Sequence, residues 1–111
     1  MDRIADYKRV IGDILERHAQ VKYSHGNIER VTIADDEQGS YLLLSVGWDN
    51  SRRVHSVVFH LRIRNGKIWI EDDWTANGVA DELLEAGIGK EEIVLGFHSA
   101  KKRPLTEFAV T

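Results

Sequence analysis

Five histidines and a run of acids are the residues of this chain best suited to chemistry, because imidazoles and carboxylates bind divalent metals and move protons. Their spacing does not assemble a site. His55 and His60 are an odd number of residues apart, so on one regular strand they point to opposite faces. His18, His25 and His98 are scattered, with no H-x-x-x-H or H-x-H arrangement, and no metal is expected. The segment Lys67 to Asp73, K-I-W-I-E-D-D, sets acids near a lysine, as magnesium-dependent nucleases do. Its order is wrong for that chemistry. Such sites carry an acid-x-lysine pair on one strand face after an upstream aspartate. Here Lys67 comes first, and a regular strand turns Asp72 away from Glu71 and Asp73. The segment is read as a strand end entering an acidic turn.

Other catalytic signatures are missing from the sequence. There is no cysteine, which removes thiol nucleophiles, thiolate zinc sites and disulfides together. There is no G-x-S-x-G elbow, no G-x-x-x-x-G-K loop and no G-x-G-x-x-G turn. Gly87-Ile88-Gly89-Lys90 is read as a helix terminator, and the basic run Lys101 to Arg103 as a solvated loop. Neither catalytic residues nor a cofactor are expected. The tryptophans say more. Trp48, Trp69 and Trp74 sit in or beside strands, and alternation sends Trp69 to the face opposite Ile68 and Ile70, next to Arg62. An indole there either stacks on Arg62 or anchors a partner, since tryptophan and arginine are enriched in interface hot spots. Arg62 and Trp69 are thus candidate partner-binding residues.

These side chains need elements to hold them. From Asp2 to about Val21, Ile4, Tyr7, Val10, Ile11, Ile14, Leu15 and His18 recur at three- and four-residue steps, which predicts an amphipathic helix. Between Ile28 and Trp74 the period is two, interrupted at 36–39, 49–52 and Asn65-Gly66, which predicts a four-stranded antiparallel meander. Asn-Gly favours a two-residue type I′ turn, because both positions need positive φ. That turn pairs Arg64 with Lys67, Ile63 with Ile68, Arg62 with Trp69, Leu61 with Ile70, His60 with Glu71 and Phe59 with Asp72. The other loops pair Ile33 with Leu42, Val31 with Leu44 and Leu44 with Val57. The expected core face is Val31, Ile33, Leu42, Leu44, Val57, Phe59, Leu61, Ile63, Ile68 and Ile70, under both helices. The second helix is expected from an Asn77 cap through Val79, Ala80, Leu83 and Leu84 to Gly87 as C′, with Ile88 making the contact that follows. Lys90 to Ile93 is read as the start of a short helix. The fold class is α+β: N-terminal helix, meander, second helix on the same face and a short C-terminal segment.

Length and charge limit the rest. The 111 residues, 42% of them hydrophobic, fit one domain, residues 1–111. The net charge of -3 lacks the basic excess that phosphate neutralisation needs, so direct sequence-specific DNA binding is not expected. No window approaches the ~18 apolar residues of a membrane span, and the chain is charged from Asp2 onward, so a cytoplasmic protein without membrane attachment is expected. At the other end Thr106, Glu107, Phe108, Ala109 and Val110 are too apolar for a solvated tail, and are expected to be ordered at or beside the interaction surface.

A composite pattern runs through nearly the whole chain: Tyr41-x-Leu43, Gly47-Trp48, Arg53, His60, and Gly66-Lys67-Ile68-Trp69-Ile70 with Asp73 and Thr75. It continues with Gly87-Ile88, Lys90, Ile93 to His98, Arg103, and Thr106 to Val110. In this the chain resembles the cyanobacterial XisI family, the fdxN element excision controlling factors. It departs from the family at Gly89 and Ala100, where proline is usual, which bears on loop stiffness rather than identity. The resemblance implies a non-enzymatic accessory role in excising a DNA element from a nitrogen-fixation gene, the recombination itself belonging to a separate recombinase. It also implies a XisH-like partner protein related to nuclease folds. The residue types read above make the exposed sheet face (Arg62, Trp69) or the C-terminal segment (Thr106, Glu107, Phe108) the expected contact surface. The alternative is an inhibitor or antitoxin-like module that neutralises such a partner, and a homodimer remains open. A small nuclease in its own right is the third reading.

Overall fold

Apolar residues at helical spacing fold the first part of the chain into α1 (Arg3–Ala19), which buries Tyr7, Val10, Ile11, Ile14 and Leu15. The computed structural model describes residues 3–111, so Asp2, where the periodicity starts this helix, lies outside the described residues. The period then changes to two, and β1 (Asn27–Asp35), β2 (Ser40–Asp49), β3 (Arg52–Arg64) and β4 (Lys67–Asp73) follow as an antiparallel meander. At the β3–β4 turn Asn65 and Gly66 have φ of 53° and 74°, the double positive φ of a type I′ turn. It sets the expected pairs Arg64–Lys67, Ile63–Ile68, Arg62–Trp69 and Leu61–Ile70.

The expected pairs Ile33–Leu42, Val31–Leu44 and Leu44–Val57 also form, but the face they occupy is the opposite one. Leu43 pairs with Phe59 while Leu44 pairs with Val57, so Val58 is an extra residue in β3. Such a bulge reverses the alternation of the strand on either side of it. Phe59, Leu61, Ile68 and Ile70 are fully buried beneath the helices, with Tyr41 and Leu43 of β2. Val31, Ile33, Leu42, Leu44 and Val57, expected beside them, lie on the other side of the sheet, and Ile33 is 46% exposed. A second irregularity, at Glu71, pairs His60 with Asp72 and Phe59 with Asp73 instead of the expected Glu71 and Asp72.

α2 (Val79–Glu85) packs on the same core through Val79 and Leu83. Its cap differs from the expected Asn77. The Asp73 carboxylate at the end of β4 accepts the Val79 N–H (2.7 Å), the Thr75 N–H (3.0 Å) and the Thr75 hydroxyl (2.6 Å), holding strand end and helix start together. At the C-terminal end Gly87 takes φ 95°, its N–H bonds the Leu84 carbonyl and that of Ile88 bonds Leu83, with Ile88 buried. This is a Schellman end, as the glycine predicts. The helices are joined where His18 of α1 shares a 2.7 Å hydrogen bond with Glu82.

Beyond a 3-10 turn at Lys90–Glu92 the chain forms β5 (Ile93–Leu95), which adds to β4 in parallel and makes the sheet five-stranded rather than four. All three of its residues are buried.

Candidate partner-binding surface

The edge of the sheet at β4, β5 and the C-terminal segment gathers the residues singled out in the sequence. Trp69 leaves β4 opposite the helix-covered face, across from Arg62 as expected. The cations on its ring are different ones: the guanidiniums of Arg64 and Arg103 lie 4.9 and 5.1 Å from the ring centroid. Arg62 instead pairs with Glu71 at 3.0 Å. The indole N–H donates to the Arg64 carbonyl (3.0 Å), and only 6% of Trp69 remains exposed. Trp69 therefore serves as the platform on which Arg103, from the last loop, is laid, rather than as an open anchor.

Arg103 is itself fixed, since its Nε donates to the His98 carbonyl (3.1 Å) and its own carbonyl accepts the Thr106 hydroxyl (2.8 Å). Thr106 Oγ1 accepts the Phe108 N–H in turn (3.2 Å). Phe108 then packs against the core, and the Ala109 N–H donates to the Ile93 carbonyl (2.9 Å), giving an isolated parallel bridge between Val94 and Ala109 beside β5. Glu107 stays in solvent, 2.6 Å from the Lys90 ammonium. The terminal segment is thus ordered, as its composition predicts. Around it the exposed apolar side chains are Phe97, Leu105 and Val110, of which Leu105 is 86% exposed.

Among the described residues no three His, Asp or Glu side chains are grouped to hold a metal ion. His60 accounts for itself otherwise: it shares a 2.9 Å hydrogen bond with Ser40, and burial pushes its pKa down. Glu71 and Asp73 are engaged by Arg62 and by the α2 cap. The sequence reading missed one polar cluster, an open groove beside Tyr23, Arg30, Ser45 and Trp74. The Tyr23 hydroxyl is hydrogen-bonded to Ser45, and Arg30 to the His18 carbonyl. Nothing in the spacing of these residues would have revealed it.

A five-stranded sheet covered on one face by two helices, with the C-terminal segment laid beside β5, defines a small α+β protein. The family model for the XisI protein matches residues 1–110, and the chain belongs to that family. It is similar to the fdxN element excision controlling factor XisI of Anabaena variabilis, with 40% identity over 99% of this chain and 100% of that one, at a TM-score of 0.84. A XisI-like protein of the same organism is 31% identical over 97% of this chain and 99% of that one, at a TM-score of 0.90. No curated protein matches the chain. No helix among the described residues is long and apolar enough to cross a membrane.

Proposed function

We propose that this chain is a non-enzymatic cytoplasmic accessory protein that controls excision of a DNA element by binding a XisH-like protein. Support comes from its likeness to an fdxN element excision controlling factor and from the fixed C-terminal edge. The observation that carries the choice of surface is the continuous chain of contacts from Trp69 through Arg103 and Thr106 to Phe108, which presents Leu105 and Glu107 to solvent. Rigid positioning before binding lowers the ordering cost of association. The net charge of -3 favours a protein contact over a direct grip on DNA.

Co-expression with a XisH-like protein tests the proposal. A stable complex that is weakened by Leu105→Asp supports it. Failure to co-purify at micromolar concentration overturns it. An antitoxin-like role would be recognised by a partner that cuts DNA alone and stops cutting once this chain is bound.

A further inference from the structure

The side of the sheet away from the helices is not the polar surface that an open antiparallel sheet usually shows to water. Its outward rows across β1, β2 and β3 follow from the register: Asp35–Ser40–Arg62, Ile33–Leu42–His60, Val31–Leu44–Val57, Glu29–Val46–His55 and Asn27–Trp48–Arg53. The middle column is largely apolar. The β1 column carries acids near both ends, Asp35 and Glu29, and the β3 column carries Arg62, His60, His55 and Arg53.

We infer that this face binds a second copy of the chain, sheet against sheet, about a two-fold axis running along β2. Such an axis lays β1 of one copy over β3 of the other and β2 over β2. Each row then meets its own reverse: Leu44 on Leu44, Val31 on Val57 and Glu29 on His55, while Asp35 and Arg62 keep their partners within the chain, the 36–39 turn and Glu71. An isologous contact requires this self-complementarity, and aligned sheets pack in this way with a crossing angle of about 30°. Glu29 and His55 are exposed, so each is accessible to a copy laid on this face. Three strands about 4.8 Å apart and nine residues of about 3.4 Å rise make a patch on the order of 14 by 30 Å. That is small for a specific interface, so the dimer is expected to dissociate in the micromolar range. The C-terminal edge stays outside the contact and free for another partner.

Sedimentation equilibrium of the purified chain between about 1 and 300 μM tests the inference. A concentration-dependent dimer is expected. Leu44→Arg, at the axis, should raise its dissociation constant at least about tenfold while the melting curve keeps its cooperativity. Glu29→Lys should weaken it, and adding His55→Glu in the same chain should restore it, which a folding defect would not do. A monomer at all concentrations overturns the inference. A dimer indifferent to Leu44→Arg but abolished by Thr32→Pro, on the β1 edge, overturns it in favour of edge-to-edge pairing. A monomer whose complex with a XisH-like protein is broken by Leu44→Arg assigns the face to that protein instead.

Discussion

Arg3 in the first turn of α1 grips Glu92 beside β5 with two hydrogen bonds, Nε to Oε1 at 2.5 Å and Nη2 to Oε2 at 2.6 Å. The same carboxylate accepts the Tyr7 hydroxyl (2.9 Å) and the Gly89 N–H (2.7 Å), so one side chain joins the first helix to the last strand. The Arg3 contact, aided by Gly89 and Tyr7 and opposed by burial, holds the Glu92 carboxyl down at about 2. Burial, with Glu92 beside it, pushes the Tyr7 phenol up to about 12.

The sign of the consequence follows from linkage. A carboxyl whose folded pKa lies below its unfolded value of 4.5 stabilises the fold above that value, and the contribution is lost as pH falls toward 2. Glu92→Gln should therefore lower the melting temperature at pH 7, and the gap to the parent chain should close between pH 4.5 and 2. Thermal melts at pH 7 and pH 3 check this. A gap that widens in acid would mean that the Glu92 carboxylate does not tie α1 to β5 in solution.

Asp73 is expected to matter for folding and not for cleavage. Its carboxylate satisfies the first helical N–H of α2 along with the amide and hydroxyl of Thr75. Asp73→Ala should cost about 1–2 kcal/mol, the usual cost of losing a helix cap. Asp73→Asn, which retains an oxygen acceptor, should cost less. Neither the parent nor the variants should cut DNA with magnesium or manganese. Cleavage that disappears in Asp73→Ala would make this residue catalytic.

Most of the frame was legible because it rests on local signals. Asn65-Gly66 dictates a turn and with it a register, and Gly87 dictates a helix end, whatever surrounds them. What escaped was set by tertiary context. Val57-Val58-Phe59 is apolar throughout, so no change of period betrays the extra residue at Val58, and an uninterrupted alternation put Leu42 and Leu44 in the core. β5 has three residues, too few to show a period. The α2 cap comes from Asp73, several residues upstream of the usual cap position held by Gly78. Arg103 reaches Trp69 from another loop, and sequence proximity pointed to Arg62 instead.

The bulge can be tested through neighbouring residues. Leu43 is fully buried and Leu44 points outward, although both are leucines in the middle of β2. Leu43→Lys should cost more than about 3 kcal/mol, because it buries an unpaired ammonium. Leu44→Lys should cost clearly less, because Leu44 is half-buried on the outward face, where the ammonium can reach water along the lysine stem. Urea unfolding of the two variants decides the matter, and equal or reversed costs would restore the uninterrupted alternation.

The C-terminal segment combines a structural and an interaction role, and two variants separate them. Deleting residues 106–111 removes the Phe108 packing and the Ala109 hydrogen bond to Ile93, so the shortened chain should melt lower even without any partner. Loss of binding by that variant alone would be ambiguous. Glu107→Lys is the sharper probe, because Glu107 lies in solvent and its carboxylate bonds the Lys90 ammonium at the surface. It should leave the melting temperature nearly unchanged, as isolated exposed pairs contribute little. If a XisH-like protein docks on this edge, the reversal places a like charge wherever the partner had met Glu107, and binding measured by calorimetry should weaken about tenfold or more. Unchanged affinity in Glu107→Lys, with binding retained by a folded deletion variant, would place the interface elsewhere on the molecule.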